Sequence, residues 1–455
     1  MAEGGRRPDP VPTPPRAAAR PAAADLQALS QAMSLAPESA EAALRGWVAR
    51  FPASATGWAA LAQVLQRAGR HADALGPLQQ AAAHAGGDAA PLHNLGNGLR
   101  RLGRLDEAEA CYRQALALQP ERASSHYGLG NVRRDQGRPD QAVPHFQAAL
   151  RLQPSHAMAA LALGNALQEL DDLPGAARAY LHAARVQPAG SAPLFNLHAV
   201  RLAQGDLEGA IAALREAWRR EPGSPRIHFF LALLLHQAGH ADEAAALRAE
   251  LQHGPAQAQA WLDAWDHLRE AAGGAPLPLC GHALQVFRLA LAAARPDGLV
   301  LEFGVRWGRS IRQIASLVDG PVHGFDSFEG LPEAWHDEPS GSYSTGGRLP
   351  EVPPQVQLHV GWFDATLPAF LQAQAGPVRF VNIDCDLYSS TRTVLEALAP
   401  RLGPGSVLVF DEYVGNAHWR DDEFKAFQEA AARHGWRHEL VACSFATKQV
   451  ALRLG

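Results

Sequence analysis

The 455-residue sequence is poor in cysteine, and its four cysteines lie far apart, at Cys111, Cys280, Cys385 and Cys443. None belongs to a CxxC motif or to a Cys/His spacing, which argues against a structural zinc site. Scattered free thiols are typical of proteins in a reducing compartment. The sequence therefore predicts a cytoplasmic protein.

Long apolar runs and a basic excess are also missing. The apolar stretch Phe229–Leu235 is far shorter than the ~20 residues of a membrane-spanning helix, and the amino-terminal segment lacks the apolar core of a signal peptide. A formal net charge of −5 leaves no positive surplus to neutralise phosphates, which argues against nucleic acid as the main partner. The hydrophobic content of 47% is typical of a globular chain, and the length suits two or three domains.

The first half of the sequence repeats with a period of 34 residues. One column of the repeat contains Ala74, Ala108, Ala142, Ala176, Ala210 and Ala244. Another contains Pro120, Pro154, Pro188 and Pro222. An aromatic column contains Tyr112, Phe146 and Tyr180. Small residues allow two antiparallel helices to pack closely, the aromatic ring fills the space toward the next pair, and proline stops the second helix.

These columns resemble those of tetratricopeptide repeats, with six repeats starting near residues 55, 89, 123, 157, 191 and 225 and a degenerate one before them. The resemblance implies an α-solenoid over residues 23–252 with a concave surface that binds extended peptides, after a disordered Pro/Ala/Arg-rich tail at residues 1–22. One further column, similar to the asparagine ladder of O-linked-glucosamine transferase repeats, consists of Asn97, Asn131 and Asn165. The similarity implies that these amides bind a partner's backbone; solvated asparagines are the alternative.

The repeat pattern ends near residue 251, and residues 253–278 are predicted to form one helix and a Gly/Pro linker. From residue 279 to 455, short apolar segments alternate with helical patterns, which predicts a parallel sheet with helices on both faces. The last two apolar segments, WRHELVACSF and KQVALRL, predict an antiparallel hairpin that closes the sheet. The predicted fold class is therefore an α-solenoid joined to an α/β domain.

Ligands bind at the carboxyl ends of the strands in such sheets. The first strand ends in LEFGVRWGRS, where Glu302 is followed by Gly304 and Gly308 before a helix opens at Ser310. These glycines let the backbone approach a ligand, although this turn alone is equally compatible with a dinucleotide. The second strand ends at Asp326, which can accept hydrogen bonds from the hydroxyls of a ribose or, alternatively, cap a turn.

Five segments follow one another in order: LEFGV, VHGFDSFEGLPE, GWFDATLP, IDCDLYSST and VLVFDEY. Together they resemble the macrocin-type O-methyltransferases, a class I family that uses S-adenosylmethionine, over roughly residues 280–455. The resemblance implies a Rossmann-like, seven-stranded sheet. It also implies three groups of cofactor-binding residues: Glu302, Gly304, Gly308 and Ser310 near the methionine end, Asp326, Ser327 and Phe328 near the ribose, and Trp362 and Phe363 near the adenine.

Carboxylates follow the fourth strand, at Asp384 and Asp386, and the fifth, at Asp411 and Glu412. Neighbouring strands lie about 4.8 Å apart, so we expect these groups to converge. Carboxylates at such short distances raise each other's pKa unless a cation lies between them. Mg²⁺ prefers oxygen ligands. The resemblance implies that Asp384, Asp411 and Glu412 hold Mg²⁺, which lowers the pKa of a substrate hydroxyl. Glu412 departs from the family, which commonly has a second aspartate here.

The sequence leaves open which side chain takes the proton of the methyl acceptor. Asp386 is a candidate metal ligand, base or support for a ligand, and Asp384 and Asp386 alternatively cap the following helix. His336 lies in a long Gly/Ser-rich loop, residues 333–350, that is predicted to be a lid, and His418 follows the fifth strand. Either histidine is a further candidate base, and a metal-free site is the alternative to the magnesium site.

We expect an O-methyltransferase that acts on a hydroxyl of a sugar or other small molecule, with the repeat array recruiting a partner or substrate. The alternatives are a binding scaffold with a vestigial methyltransferase fold and a protein methyltransferase whose array binds the substrate. The joint presence of Glu302, Asp326, Asp384 and Asp411 favours an enzyme. Because repeats contact mainly their neighbours, we also expect the methyltransferase part to fold without residues 1–250.

Overall fold

The computed structural model describes residues 21–455, so the predicted disordered tail lies almost entirely outside the described residues. The chain divides into two compact units, one up to Val132 and the other Arg133–Gly455. Among residues 21–455, no helix combines the length and the apolar character that crossing a membrane would require.

The first unit is a series of antiparallel helices. Its helices are α1 (Ala23–Met33), α2 (Pro37–Arg50), α3 (Ala55–Arg67), α4 (Leu75–Ala83), α5 (Ala89–Arg101), α6 (Leu105–Leu118) and α7 (Ala123–Asp135), the last of which passes the division between the units. The Tyr112 ring is fully buried between Gly96 and Gly128. A Cβ atom at either glycine would lie within 2.8 or 2.5 Å of the ring, so the glycines allow the close helix packing that the repeat columns predict.

The second unit begins with the remaining helices of the array. These are α8 (Pro139–Leu152), α9 (Ala157–Glu169), α10 (Leu173–Val186), α11 (Ala192–Ala203), α12 (Leu207–Arg220), α13 (Pro225–Gln237), α14 (Ala241–Gln252) and α15 (Ala256–Ala271). Ala142, Ala176 and Ala210, from the predicted alanine column, are completely buried. The Tyr180 ring packs against Gly164, where a Cβ atom would lie 2.4 Å from the ring.

An α/β sheet completes the second unit. Its elements are α16 (Ala283–Ala293), β1 (Leu299–Phe303), α17 (Arg309–Ala315), β2 (Val322–Asp326), β3 (Val356–Val360), α18 (Phe363–Ala373), β4 (Val378–Ile383), α19 (Tyr388–Leu398), β5 (Val407–Phe410), α20 (Glu423–His434), β6 (His438–Ser444) and β7 (Gln449–Leu454). The seven strands have the order β3-β2-β1-β4-β5-β7-β6. Strands β1 to β5 are parallel, and β7 is antiparallel to both β5 and β6. The predicted fold class, a helical array with a Rossmann-like sheet and a terminal hairpin, is confirmed.

The register of the strands aligns their carboxyl ends. Phe303 at the end of β1 pairs with Phe325 of β2 and with Ile383 of β4, and Ile383 pairs with Phe410 of β5. The residues that follow these pairs therefore emerge side by side at one edge of the sheet.

The array helices of the second unit and the sheet share one apolar core. The ring of Phe229 on α13 lies 5.5 Å from Trp261 and 6.1 Å from Trp265, both on α15, and 5.1 Å from Phe445, which follows β6. This shared core argues against our expectation that the methyltransferase part folds without residues 1–250. It also explains why the division into compact units falls near residue 132 and not within the predicted linker, residues 253–278.

Candidate active site

A cavity of about 970 Å³ opens at the carboxyl ends of the parallel strands. Most of the residues that the sequence singles out for chemistry contribute to its wall: Gly304, Ser310, Asp326, Ser327, Trp362, Phe363, Asp384, Asp386, Asp411 and Glu412. The topology thus brings together side chains that are up to about a hundred residues apart in the sequence.

The loop after β1 crosses the backbone after β4 at very short distance. Gly304 has φ +93°, and a Cβ atom built there would lie 1.8 Å from the carbonyl oxygen of Asp384. Gly308 has φ +73° and precedes α17. Both glycines have backbone angles that other residues rarely adopt, so the loop needs glycine at these positions.

Glu302 lies beneath this loop and is completely buried. Its Oε1 accepts a hydrogen bond from Asn382 Nδ2 at 3.0 Å. Within the described residues, Oε2 has no hydrogen-bond partner. Burial raises the pKa of Glu302 to about 8, so the group is largely protonated at neutral pH.

The raised pKa of Glu302 predicts how the stability of the second unit changes with pH. The unfolded chain releases this proton near pH 4.3, whereas the folded protein keeps it to about pH 8. Between these values the folded state binds more protons, so stability falls as pH rises, by up to about 1.4 kcal/mol per pH unit from this group. We expect Glu302→Gln to lose less thermal stability than the wild type between pH 5.5 and 8 in calorimetric scans.

A matched control for this experiment is Glu329→Gln, which changes an exposed glutamate of the same domain. It should leave the pH dependence of the melting temperature unchanged. If Glu302→Gln shows the wild-type slope as well, the buried carboxyl group does not carry a raised pKa.

Asp326, at the end of β2, binds two backbone amides. Its Oδ2 accepts from Arg306 N–H at 2.7 Å and its Oδ1 from Phe328 N–H at 2.6 Å. The carboxylate therefore caps the turn after β2, as in the alternative interpretation, and also holds the loop after β1. Each carboxylate oxygen can accept a further hydrogen bond, so contact with a ligand hydroxyl remains open to it.

The aromatic residues predicted to bind the cofactor divide into two groups. Trp362 is 39% exposed, and Phe363 packs edge-on against Phe303 with 5.3 Å between ring centroids; both line the cavity. The Phe328 side chain, by contrast, is 1% exposed and lies in the apolar core. The predicted place of Phe328 beside a ribose stays a prediction.

Phe328 also anchors the predicted lid. Its carbonyl oxygen accepts hydrogen bonds from the backbone N–H groups of Thr345 and Gly347 at 3.2 and 3.1 Å. Two side chains of this loop, Trp335 and Tyr343, line the cavity. The loop is therefore one wall of the cavity, and its closure as a lid stays a prediction.

The carboxylates after β4 and β5 perturb one another, as predicted. Burial, followed by the charges of neighbouring carboxylates, raises the pKa of Asp386 to about 7 and that of Asp411 to about 6. The same causes raise the pKa of Asp384 and of Glu423 well above their ordinary values. This edge of the sheet consequently holds protons at neutral pH.

Lys448 is a positive group that the sequence analysis missed. Its Nζ lies 2.8 and 2.9 Å from the two carboxylate oxygens of Glu412, and the neighbouring Gln449 donates to Asp411 Oδ1 at 2.7 Å. Both residues line the cavity. Because β7 is antiparallel, its amino-terminal end lies at the carboxyl ends of the parallel strands, and the predicted hairpin was the signal that could have identified them.

The predicted magnesium ligands are only partly assembled. In the part of the chain that the structure describes, no group of three or more His, Cys, Asp or Glu side chains is arranged to hold a metal ion. The Glu412 carboxylate is bound by Lys448, so it is not free to join Asp384 and Asp411. The two aspartates, half-buried in the cavity wall and raised in pKa, have the donor chemistry that a hard cation prefers.

The two candidate histidines lie together. His336 Nε2 is 2.9 Å from Asp422 Oδ2, and the His336 ring stacks on His418 with 4.6 Å between centroids. Neither histidine is among the described residues that line the cavity, although Trp335, which donates to the same Asp422 oxygen, is. The assignment of either histidine as the base stays a prediction.

The asparagine column is hydrogen-bonded within the helices. Asn97 Oδ1 accepts from Tyr112 Oη at 2.6 Å, Asn165 Oδ1 accepts from Tyr180 Oη at 2.8 Å, and Asn131 is buried. Each tyrosine belongs to the predicted aromatic column, fifteen residues after its asparagine. In the first unit, Asn97 also lines a groove of about 610 Å³ with other amide side chains, namely Gln63, Gln66 and Asn94.

Comparison with known protein families identifies the two parts of the chain. Models described as "Tetratricopeptide repeat" match residues 53–121, 87–155, 127–193 and 201–271. A model described as "Methyltransferase domain" matches residues 301–413, which include most of β1, all of β2 to β5 and most residues of the cavity wall.

A curated relative is the 8-demethyl-8-(2,3-dimethoxy-alpha-L-rhamnosyl)-tetracenomycin-C 4'-O-methyltransferase of Streptomyces olivaceus, 36% identical over 113 residues. The match covers 20% of this chain and 41% of that relative, so the chain spans less than half of the relative's length.

Among solved structures, pilF of Pseudomonas aeruginosa is 26% identical with a TM-score of 0.39, covering 46% of this chain and 99% of that one. PilW, a type IV pilus biogenesis factor, is 19% identical with a TM-score of 0.41, covering 44% and 93%. Scores this low carry no conclusion about this chain's partners.

Proposed function

Because this chain carries tetratricopeptide repeats across residues 53–271 and a methyltransferase domain at residues 301–413, we propose that it is an S-adenosylmethionine-dependent O-methyltransferase acting on a small hydroxyl compound such as a sugar. One observation carries the proposal: a single cavity is lined by the glycine loop after β1, by Asp326 after β2 and by the carboxylates after β4 and β5. The partial similarity to an enzyme that methylates a sugar hydroxyl supports the choice of acceptor.

In this proposal the residues around β1 to β3 bind the cofactor. Gly304, in the wall of the cavity, borders the methionine end, and the Glu302 carboxyl group, whose Oε2 has no partner within the described residues, supports this part of the site. The free acceptor sites of Asp326 receive the ribose hydroxyls, and Trp362 and Phe363 border the adenine. When bound, S-adenosylmethionine supplies an electrophilic methyl group to the acceptor.

Asp386 is the proposed proton acceptor. It lines the cavity, and its pKa of about 7 leaves a substantial ionised fraction at neutral pH, which suits a general base. Its φ of +59° is unusual for a residue other than glycine, and the N-cap of α19 is Leu387, without a side-chain cap hydrogen bond. Lys448 stabilises the negative charge of this region in a metal-free site.

A magnesium-assisted variant of the same reaction uses Asp384 and Asp411 as ligands, joined by Glu412 after it leaves Lys448. Mg²⁺ would then supply the positive charge that lowers the pKa of the acceptor hydroxyl. The mutual elevation of pKa among these carboxylates supports the variant, and the ion pair between Glu412 and Lys448 supports the metal-free site.

The repeats would recruit a partner. We propose an extended peptide as the ligand of the amide-lined groove at Asn97, where side-chain amides can pair with a peptide backbone.

The four cysteines are free thiols, which supports the proposed cytoplasmic location.

The proposal predicts that the full chain transfers label from methyl-labelled S-adenosylmethionine to small molecules of a cell extract. Asp384→Asn, which keeps the shape of the side chain and removes its charge, should lower the rate at least about 100-fold. Excess EDTA should abolish transfer if Mg²⁺ is required, and Mg²⁺ should restore it.

Other results of this assay separate the alternatives. Label in polypeptide would identify a protein methyltransferase. If the chain neither binds the cofactor nor transfers its methyl group, the binding scaffold is the remaining alternative. Full activity in EDTA would exclude the magnesium variant and support Asp386 with Lys448.

A further inference from the structure

The turns between paired helices of the array form a column of their own. In the second unit the same turn position recurs every 34 residues, at Gly137, Asp171, Gly205 and Gly239, with φ of +67°, +64°, +77° and +84°. Glycine adopts these angles without steric conflict, whereas aspartate adopts them under strain. Asp171 is therefore an exception that needs a compensating interaction.

The compensating interaction of Asp171 is with the methyltransferase part. Its carboxylate lies 2.6 Å from Arg288 Nη2, on α16, and 3.4 Å from His282 Nε2, just before that helix. The preceding helix of the same repeat makes a second contact, because the Glu169 carbonyl oxygen accepts from Gln313 on α17 at 2.9 Å.

Gly137, one repeat earlier, contacts the loop after β1. A Cβ atom built at Gly137 would lie 2.7 Å from the carbonyl oxygen of Trp307, 2.7 Å from Arg312 Nη2 and 3.4 Å from Arg309 N. Gly137 also lines the 970 Å³ cavity, together with Asp135 of the same turn. At Gly205, by contrast, no atom of the described residues lies within 4 Å of the built Cβ.

Arg312 joins the two sides of this contact. Its Nη2 donates to the carbonyl oxygens of Gly137 at 2.5 Å and of Trp307 at 2.8 Å, and its Nη1 donates to the carbonyl oxygen of Glu351. One guanidinium therefore connects a repeat turn, the loop after β1 and the segment before β3. Arg138, next to Gly137, forms an ion pair with the Glu351 side chain at the same place.

We propose that the repeat turns at Gly137 and Asp171 complete the cofactor site by holding the loop of residues 304–308 and the start of α17 in their ligand-binding conformation, with Arg312 as the positioning residue. The array is then a structural part of the active site in addition to any role in recruitment. The inference rests on the proposed function, because it assigns residues 304–308 to S-adenosylmethionine.

The test compares two alanine substitutions in the full chain. Gly137→Ala and Gly205→Ala introduce the same backbone strain at the same turn position, but only the first places a Cβ against Trp307 and Arg312. We expect Gly137→Ala to raise the Kd for S-adenosylmethionine at least tenfold in calorimetry, and Gly205→Ala to change it less than twofold. Equal Kd values for the two variants would overturn the proposal.

Two further variants test whether the contact of Asp171 and the hydrogen bonds of Arg312 contribute to cofactor affinity. Asp171→Gly relieves backbone strain but removes the contact with Arg288, so we expect a several-fold higher Kd without a lower melting temperature of the array. Arg312→Lys keeps the charge and loses the donors that reach several carbonyl groups, so its Kd should rise at least fivefold. Wild-type affinity in both variants would contradict the positioning role.

Hydrogen exchange of the backbone amides tests the positioning by the array independently of the proposed function. Without any ligand, amides of residues 304–309 should exchange faster in Gly137→Ala than in Gly205→Ala. If wild type fails to bind S-adenosylmethionine but this difference appears, the proposed function is wrong and the positioning by the array holds. If the wild type binds and exchange is equal in the two variants, the positioning is wrong and the proposed function holds.

Discussion

Replacing Gly304 with alanine should abolish cofactor binding and destabilise the second unit by on the order of 3 kcal/mol or more, from overpacking and an unfavourable φ. The added Cβ would lie 1.8 Å from the carbonyl oxygen of Asp384 and 2.8 Å from its carbonyl carbon. These are backbone atoms directly after the paired strands β1 and β4, so they can move only if the strands separate. Urea unfolding and calorimetric titration of the cofactor measure the two effects.

A matched control is Gly376→Ala. Gly376 has φ +98°, close to the +93° of Gly304, but no described atom lies within 4 Å of its built Cβ. The control should show the cost of the backbone angle alone, about 1–2 kcal/mol, and bind the cofactor normally. A Gly304 variant no less stable than the control would show that the two backbones do not meet as described.

Removing the array by cutting in the predicted linker should prevent folding. A fragment that starts at residue 275 lacks α13 and α15, so Phe445 loses its contact with Phe229 and the core around it becomes exposed. Each large side chain contributes about 1.5–3 kcal/mol by burial, and losing several of these contacts approaches the whole stability of a domain. We expect aggregation of this fragment in size-exclusion chromatography.

A fragment that starts at Ala123 should fold, because it keeps α7 and every helix of the second unit. We expect it to be monodisperse and to melt cooperatively, as followed by circular dichroism. A monomeric 275–455 fragment that melts at the same temperature would mean that the shared core contributes little.

The repeats and the sheet could be predicted because their signals are local. A period of 34 residues and buried strands that end in Gly or Asp are visible in short windows of sequence. The positions of Gly304, Asp326 and Asp384 at one edge follow from the parallel topology alone. These residues consequently line the cavity as expected.

The missed residues depend on contacts between distant segments. Lys448 reaches Glu412 only because the last strand runs antiparallel, and Asp171 binds Arg288, 117 residues away. The contact of His336 with Asp422, which spans 86 residues, was missed for the same reason. Local patterns contain no information on which of many charged side chains will meet.

The repeat turns at Gly137 and Asp171 also limit where the array can change length during evolution. Repeat arrays gain and lose whole units, here of 34 residues, because each unit contacts mainly its neighbours. Gly137 and Asp171 each contact a different element of the sheet region, so a unit gained or lost between them would displace one contact by a full repeat. Duplication and loss are therefore tolerated before residue 123, where the turns at Gly69 and Gly103 have no described atom within 4 Å of the built Cβ.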